Sequence, residues 1–508
     1  MNRRIMFLFG VWLAGGAVLA ANLLKNPGFE KGNTLFDTQK YWAGTVEHIQ
    51  DAAKARTGKG VIRLVSAPGR GTVFGRLLLR GRQSEPSGKI YVFSLWARGT
   101  GALHLGGIRY ITPPEGKPPY EFDWQEEGVT LTDTWQQVSY TIDLSRRVAN
   151  FLAMVVELRG EGEAYLDDVS LETVVQPGAF VTAQTRHLVQ PAGKAEDLVL
   201  TTQPQAPVFV SVAKGKDAPV CHEVTSNAEG KVFVPGAWFV SAEPVDCRIA
   251  ACSGGATAHV DVAFVTQESF DRSLNLAKSV ALTKPLRILY LGDSLTDFDR
   301  GRNYCDKVDF WLNQAFPGLA SFHNAGVGGD YITRMEDRIY GRQAHRREMY
   351  DGLWNEKYDL IFIFLGHNDT KTTAKSDLKV PVVPPETQDA SFRKVVAQIR
   401  QHSQAPIVFI SGASMVEEIC RRNHAKAIQT RPNASIFGLP EHVEAFNDVL
   451  QKLGKELGIG YLDVYTPMKN HPDKPSLFYP TDGVHLSTAG HAFVADAILK
   501  ALASGIGR

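Results

Sequence analysis

Three residues in the C-terminal half of the chain are of the types that can carry out acyl-transfer chemistry. Ser294 lies in the stretch ILYLGDSLTD, just after an apolar run, and Asp482 and His485 lie together in PTDGVHLSTAGH. A serine hydroxyl is a poor nucleophile until a base takes its proton, and histidine is a suitable base. An acid three residues before the histidine can accept from its second ring nitrogen and fix the tautomer. Ser294 is therefore a candidate nucleophile, His485 its candidate base and Asp482 the candidate orienting acid.

A nucleophile of this kind also needs hydrogen-bond donors for the oxyanion of a tetrahedral intermediate. The candidates are the Ser294 backbone N–H, the Gly329 N–H in HNAGVGGD and the Asn368 side-chain amide in IFIFLGHNDT. Glycine allows a backbone to approach a ligand closely, and Gly328 and Gly326 are the alternatives at this position. Each motif taken singly also fits an ordinary turn or helix cap. Four motifs in order at four predicted strand ends favour a shared site.

A parallel sheet must bring these motifs together. After about residue 270, the apolar runs LRILYLG, YDLIFIFLG, APIVFISG and GYLDV alternate with amphipathic helical stretches. Continuous apolar strands that alternate with helices predict a parallel sheet covered on both faces. Residues 270–508 are therefore predicted to form an α/β/α domain with a doubly wound parallel sheet. Reactive groups in such sheets lie beyond the carboxyl ends of the strands.

The N-terminal half has the patterning of β-structure. In residues 21–175, runs such as KIYVFSLWARG, WQQVSYTIDL and AYLDDVSLE alternate between two faces, which predicts a β-sandwich or jelly roll. Residues 184–266 contain further strand-like runs, such as APVFVSVAKG, and predict a small central β-sandwich of immunoglobulin type. The predicted fold class is thus multidomain, with two all-β regions before the α/β domain.

The first residues have the features of an export signal. Arg3 and Arg4 precede an uncharged apolar run, and small side chains follow near Ala20. A membrane anchor is the alternative, but the run is shorter than the ~20 residues that a membrane span needs. We expect residues 1–20 to be a signal peptide and the protein to be secreted or periplasmic, with no stable membrane insertion after cleavage.

Export and net charge indicate which bonds and partners the chain can have. An exported chain can form disulfides, and Cys221, Cys247 and Cys252 are close enough in sequence for one pair among them. The net charge is +1, so no strong bulk field draws the protein to nucleic acid. We expect no nucleic-acid partner.

The C-terminal motifs together resemble a known family. GDSLT, GVGGD, GHND and DGVH are similar to the four sequence blocks of the SGNH hydrolases, also called the GDSL esterases, and the resemblance covers about residues 284–505. GHND is also similar to family members that deacetylate plant polysaccharides, such as rhamnogalacturonan acetylesterases. The resemblance implies an acyl-enzyme on Ser294, with His485 as base and Asp482 as its orienter. It implies Gly329 and Asn368 as oxyanion donors, and no metal or other cofactor for catalysis.

The N-terminal region has a resemblance of its own. NLLKNPGFE near its start and AYLDDVSLE at its end are similar to carbohydrate-binding modules of the jelly-roll type. The resemblance implies a structural calcium, with Glu30 and Asp168 as oxygen ligands; two solvated acids at a sandwich edge are the alternative. Candidate sugar platforms are Trp42, Trp96, Trp124 and Trp135, although most tryptophans of a small sandwich belong to its core.

Four arginines follow the glycine-rich motif at intervals of four residues: Arg334, Arg338, Arg342 and Arg346. On one helix they would form a single basic face. Such a face could bind an anionic sugar such as a uronate, or it could be a solvated surface paired with neighbouring acids.

The sequence thus predicts an exported serine esterase that removes acyl groups, acetyl foremost, from a carbohydrate or polysaccharide. Three alternatives stay open. The substrate could be a lipid or lysophospholipid, or the chain could be a polysaccharide-binding protein with an inactive hydrolase domain. A two-metal phosphoesterase is the third, although the sequence contains neither an opening Asp-x-His nor a later His-x-His cluster.

Overall fold

The computed structural model describes residues 18–19, 21–24, 26–32, 44–66, 73–79, 88–110, 120–147, 149, 151–215, 217 and 219–506. The predicted signal peptide, apart from Val18 and Leu19, and the candidate platform Trp42 lie outside these ranges. Within them, no helix has the length and hydropathy needed to cross a membrane. The chain divides into two compact units, one from residues 1–185, 195–240 and 247–260 and the other from 186–194, 241–246 and 261–508.

The N-terminal part of the first unit consists of strands. They are β1 (Val18–Leu19), β2 (Thr45–Gln50), β3 (Gly60–Val65), β4 (Val73–Leu79), β5 (Ile90–Gly99), β6 (Ala102–Tyr110), β7 (Tyr120–Trp124), β8 (Val129–Thr130), β9 (Gln136–Asp143), β10 (Phe151–Arg159) and β11 (Glu163–Val175). One antiparallel sheet has the order β2-β3-β11-β5-β9, with β1 on β11, and a second has the order β4-β10-β6-β7, with β8 on β6.

Alternation along these strands builds a core between two sheets. Phe93 and Leu95 of β5, Leu105 of β6 and Met154 of β10 are fully buried in one apolar cluster. Because side chains of a strand alternate between its faces, each sheet turns one face to this core and the other away from it. The predicted N-terminal β-sandwich is confirmed.

Residues 181–265 add eight strands and a short helix. These are β12 (Val181–Ala183), β13 (His187–Pro191), β14 (Leu198–Thr202), β15 (Pro207–Lys214), β16 (Val220–Thr225), β17 (Lys231–Val234), α1 (Gly236–Phe239), β18 (Val245–Ser253) and β19 (Ala256–Val265). β12, β14 and β17 form an antiparallel sheet, and β15 pairs with both β16 and β18. None of the five cysteines forms a disulfide, so the possible pair among Cys221, Cys247 and Cys252 is absent.

The second unit contains the parallel sheet and its helices. The strands are β20 (Leu286–Gly292), β21 (Ala320–Asn324), β22 (Leu360–Phe364), β23 (Thr372–Thr373), β24 (Ile407–Ile410), β25 (Ser435–Ile436) and β26 (Gly460–Leu462). The helices are α2 (Gln267–Ser279), α3 (Ser294–Asp297), α4 (Tyr304–Ala315), α5 (Ile332–Ile339), α6 (Pro385–His402), α7 (Glu417–Ala427), α8 (Pro440–Leu457), α9 (Tyr465–Lys469) and α10 (Thr488–Ala503). Short 3-10 turns occur at Arg347–Met349, Leu353–Asn355, Ala374–Ser376 and Lys474–Leu477.

The parallel sheet has the strand order β21-β20-β22-β24-β26. Ile288 and Tyr290 of β20 pack into one apolar cluster together with α4 and α10, whereas Leu289 and Leu291 pack into another with α6 and α8. Both faces of the sheet are therefore covered, which explains why its strands are continuously apolar. The strand order reverses at β20, and ligands of such sheets bind beyond the carboxyl ends of the strands at this point.

The predicted fold class is confirmed for the N-terminal β-sandwich and the C-terminal doubly wound sheet. The strands of the predicted central domain, residues 184–266, are divided between the two compact units. The boundaries at 21–175, 184–266 and 270–508, and the immunoglobulin-like character of the middle region, stay predictions.

Candidate active site

Ser294 lies at the carboxyl end of β20, where the chain turns into the single-turn helix α3. Asp293 caps this helix, since its Oδ1 accepts from the Leu295 N–H at 3.0 Å. Gly292 permits the turn: a Cβ there would overlap the Thr296 side chain and lie 2.7 Å from the Phe364 carbonyl oxygen. The turn therefore points the buried Ser294 hydroxyl into the space beyond the strand ends.

His485 and Asp482 approach this hydroxyl from the loop before α10. His485 Nε2 lies 2.9 Å from Ser294 Oγ, and His485 Nδ1 lies 2.9 Å from Asp482 Oδ2. Asp482 Oδ1 accepts from the backbone N–H groups of Val484 and His485, so the loop holds the carboxylate in place. Burial opposes ionisation of Asp482, but its hydrogen bonds with the His485 ring and these N–H groups hold its pKa below the usual range. The structure thus brings the three predicted residues together in sequence order Ser, Asp, His.

The backbone around the glycine-rich motif distinguishes among the three candidate glycines. The Gly326 N–H donates to Asn324 Oδ1 and the Gly328 N–H donates to Asp297 Oδ2. Gly329 has a positive φ of 81°, and no other atom lies closer than 4.0 Å to the position of a Cβ on it. Among the described residues, neither the Gly329 N–H nor the Ser294 N–H has an acceptor. These two donors are therefore available to an oxyanion.

Asn368, the third predicted donor, follows β22. Gly366, two residues after the end of this strand, has a φ of 137°, and a Cβ there would lie 3.0 Å from Gly412 Cα. Asn368 is buried, and its Nδ2 lies 3.1 Å from Nε2 of the preceding residue, His367. The side-chain amide has a second N–H on the same nitrogen, which such a contact leaves free.

His367 is the residue of this site that the sequence analysis missed. Its Nε2 lies 3.0 Å from Ser294 Oγ, almost as close as that of His485. Its Nδ1 lies 3.1 Å from Asp293 Oδ2, within ion-pair distance although the two groups are not aligned as a hydrogen bond. The signal was present in GHND, where a histidine precedes the candidate donor Asn368 at a strand end.

Two further carboxylates support the glycine-rich loop. Asp330 forms a bidentate ion pair with Arg338, at 2.8 and 2.9 Å, and both side chains are buried. Asp369 Oδ1 accepts from the Ile332 N–H at 2.8 Å, which joins the end of β22 to the start of α5. Burial raises the pKa of Asp369 to about 7. These contacts fix the loop that carries Gly329 relative to Asn368.

Comparison with known proteins identifies this part of the chain. Residues 290–493 match the model of the GDSL-like lipase/acylhydrolase family. The C-terminal α/β region is a GDSL-type hydrolase domain. A GDSL esterase/lipase of Oryza sativa subsp. japonica is 26% identical over 144 residues, which cover 28% of this chain and 53% of the relative. A GDSL esterase/lipase of Arabidopsis thaliana is 25% identical over 142 residues, with the same coverage of 28% and 53%.

The chain spans about half the length of these curated relatives.

Among solved structures, a lipase/acylhydrolase from Enterococcus faecalis aligns with 43% of this chain and 96% of its own, at 17% identity and a TM-score of 0.31. The CBM22-1 xylan-binding domain of Xyn10C from Paenibacillus barcinonensis aligns with 32% of this chain and 97% of its own, at 15% identity and a TM-score of 0.25.

The four spaced arginines of the GDSL domain do not form one helical face. Helix α5 ends at Ile339, and Gly341 follows with a φ of 72°. Arg342 and Arg346 therefore lie beyond the end of the helix that carries Arg334 and Arg338. Arg338 is buried against Asp330, Arg342 pairs with Glu336 and Asp337, and Arg346 pairs with Asp297.

Arg334 alone of the four lacks a carboxylate partner among the described residues, and its guanidinium lies 4.7 Å from the Tyr331 ring. The Lys371 ammonium lies 5.9 Å from the same ring. The ion pairs of the other three arginines agree with the alternative of a surface paired with neighbouring acids.

Two sets of residues bear on metal binding. Among the described residues, no group of three or more histidine, cysteine, aspartate or glutamate side chains is arranged to hold a metal ion. Of the predicted calcium ligands, Glu30 accepts from the Lys59 and Gly60 N–H groups, and Asp168 pairs with Arg56. These contacts use oxygens that calcium would need, so the described side chains do not form a calcium cage by themselves. Calcium binding at Glu30 and Asp168 stays a prediction.

Proposed function

We propose that this protein is an exported serine esterase that removes acyl groups, acetyl foremost, from a carbohydrate or polysaccharide. The observation that carries the proposal is the chain of contacts from Ser294 Oγ to His485 and from His485 to Asp482, each 2.9 Å long. It lies in a GDSL-type hydrolase domain, beside two backbone N–H groups that have no acceptor in the described part of the chain. This arrangement supports acyl transfer to a serine.

In the acylation step, Ser294 Oγ attacks the carbonyl carbon of the ester while its proton moves to His485 Nε2. The carbonyl oxygen becomes an oxyanion, which the Ser294 N–H, the Gly329 N–H and the Asn368 amide stabilise by hydrogen bonds. The bond between the carbonyl carbon and the sugar oxygen then breaks. His485 returns its proton to that oxygen, so the sugar leaves as an alcohol and the acyl group stays on Ser294.

In the deacylation step, water takes the place of the alcohol. His485 accepts a proton from the water as it attacks the acyl-enzyme, and the same three donors hold the second oxyanion. Collapse of this intermediate breaks the bond to Ser294 Oγ, which regains its proton from His485. The products are a carboxylic acid and the free enzyme, and no step requires a metal or an organic cofactor.

A row of aromatic side chains on β7 supports a carbohydrate substrate. Tyr120, Phe122 and Trp124 alternate along this strand, with Tyr120 40% and Phe122 47% exposed. The Phe122 and Trp124 rings stack with centroids 6.0 Å apart, and Tyr120 contacts Phe122 edge-on at 5.5 Å. Exposed apolar rings in a row are unusual for a solvated surface and are typical of a ligand-binding face. Of the three predicted platforms that lie in the described ranges, Trp124 belongs to this row, whereas Trp96 and Trp135 lie under Arg56 and Arg98.

The first test is acetate release from a panel of acetylated polysaccharides, beside a short aryl acetate and a long-chain ester. We expect acetate release from at least one polysaccharide. We also expect kcat/KM for the aryl acetate to be at least about tenfold above that for the long-chain ester, because kcat/KM depends on the fit of the acyl group to the site. Chelator should leave the rates unchanged. A preference for the long-chain ester would favour the lipid alternative, and loss of activity with chelator would favour a metal enzyme.

The second test is binding to soluble polysaccharide by the full chain. Phe122→Ala should weaken binding by about 2- to 10-fold, the range expected for loss of one aromatic stacking contact. The matched control is Phe233→Ala, because Phe233 is 56% exposed on β17 and lies outside the aromatic row. Equal affinity of Phe122→Ala and wild type, or an equal loss in the control, would contradict a sugar-binding role for β7. Binding without any acetate release would favour the alternative of an inactive hydrolase domain.

A further inference from the structure

The hydroxyl of Ser294 lies between two imidazoles rather than one. His485 Nε2 is 2.9 Å from Oγ and His367 Nε2 is 3.0 Å from it, and the two rings are 6.0 Å apart at an angle of 76°. Each ring has a carboxylate beside its other nitrogen, Asp482 for His485 and Asp293 for His367. The site therefore contains two histidine–aspartate pairs around one nucleophile.

The second pair is buried far more deeply than the first. The side chain of His367 is 2% exposed and that of Asp293 is 0% exposed, against 26% for His485 and 39% for Asp482. Within the described part of the chain, Asp293 Oδ2 and His367 Nδ1 have no hydrogen-bond partner, and each has the other at 3.1 Å. A buried carboxylate oxygen favours an adjacent N–H over a lone pair. Asp293 therefore favours the tautomer of His367 with its proton on Nδ1.

That tautomer leaves a lone pair on His367 Nε2, and two donors face it. One is Ser294 Oγ at 3.0 Å, and the other is Asn368 Nδ2 at 3.1 Å. The serine hydroxyl has a single hydrogen, so when it donates to His485 the lone pair of His367 is left to the Asn368 amide. A single protonation state of His367 thus accounts for its contacts with Asp293, Ser294 and Asn368.

We propose that His367 is a positioning residue whose unprotonated Nε2, set by Asp293, accepts from the Asn368 amide and holds this oxyanion donor beside the nucleophile. One N–H of Asn368 is engaged by His367, and the other remains for the oxyanion. The inference rests on the proposed esterase function and adds to it a residue that fixes the orientation of the oxyanion donor. His485 remains the base, because its ring is hydrogen-bonded to Asp482 and directed at the same hydroxyl.

The proposal predicts a specific pattern among variants assayed with a short aryl acetate. His367→Leu should lower kcat by about 10- to 100-fold with little change in KM, less than the roughly 100- to 1000-fold expected for loss of an oxyanion donor. His367→Gln should recover most of this loss, since its Oε1 can accept from Asn368 as Nε2 does. The matched control is His323→Leu, because His323 is half-buried in β21 and contacts Tyr358 rather than the site.

A double-mutant cycle separates positioning from a general effect on folding. If His367 acts through Asn368, adding His367→Leu to Asn368→Ala should reduce kcat by less than about threefold further. If the two losses multiply, His367 acts independently of Asn368 and the proposal is overturned. Thermal unfolding of each variant shows whether it is folded. If His367→Leu is misfolded, the comparison is made with His367→Gln instead.

Two of these readouts would not be produced by a merely structural role of His367. They are a loss confined to kcat with little change in KM, and its recovery in His367→Gln.

The outcomes distinguish the two proposals. Full activity of His367→Leu, or no recovery of activity in His367→Gln, would overturn the positioning role and leave the esterase intact. A wild-type protein that hydrolyses no ester would overturn the proposed function itself.

Discussion

The Ser294→Ala variant is expected to lose ester hydrolysis by about 1000-fold or more, while it binds polysaccharide as the wild type does. Alanine has no Oγ, so no acyl-enzyme can form, and only binding and the oxyanion donors remain to accelerate the direct attack of water. The measurement is kcat/KM for a short aryl acetate, together with acetate release from the best polysaccharide of the panel.

The matched control for this variant is Ser391→Ala. Ser391 is a buried serine like Ser294, but it lies in α6. Its replacement should leave kcat/KM within about threefold of wild type. Retention of more than a few per cent of the activity by Ser294→Ala would mean that another group is the nucleophile, and the proposed mechanism would have to be abandoned.

The Asp482→Asn variant is expected to lower kcat by about 1000- to 10,000-fold with little change in stability. The asparagine can keep Oδ1 as acceptor for the Val484 and His485 N–H groups, so the loop should fold as before. Its amide, however, presents a donor to His485 Nδ1. The ring then takes the tautomer with a proton on Nε2, which cannot accept the Ser294 proton.

Asp463→Asn is the control for this prediction, because Asp463 also accepts from the backbone at a helix start, in its case from the Thr466 N–H at 3.0 Å. The kcat of the Asp463→Asn variant should be unchanged. The low pKa of Asp482 also means that the carboxylate stays ionised over the acid range in which histidine titrates. Loss of activity at moderately acid pH would therefore not come from protonation of Asp482. Activity of Asp482→Asn within tenfold of wild type would contradict the orienting role.

The main features of the GDSL domain could be predicted from the sequence because the signals for them are local. The apolar runs around Ile288, Phe362 and Val408 are long enough to predict buried parallel strands, and the structure has β20, β22 and β24 there. A parallel sheet places every strand end at one edge, so motifs at strand ends must converge whatever the details of packing. This is why Ser294 and Asn368, which follow β20 and β22, could be placed together in advance. His485, 191 residues after Ser294, lies in the loop before α10 and was paired with the serine by its chemistry.

Other patterns in the sequence left two interpretations open, and the structure decided between them. The spacing of Arg334, Arg338, Arg342 and Arg346 is helical in sequence, but α5 ends at Ile339, so the last two arginines leave the face. Cys221, Cys247 and Cys252 are close in sequence, yet no disulfide joins any two of them. Proximity along the chain does not determine which side chains meet across a sheet.

The sequence by itself determined the fold class of both ends of the chain and the identity of the candidate nucleophile, base and orienting acid. Only the tertiary structure decided which glycine N–H has no acceptor among the described residues, because Asn324 and Asp297 accept from the N–H groups of Gly326 and Gly328. The contacts of His367 with Ser294 and Asp293, and the exposure of Phe122 on β7, also became known only from the tertiary structure. The physical reason is the same in each case: strand period and motif order are encoded locally, whereas the partner of a buried polar group is set by the rotation and packing of elements distant in sequence.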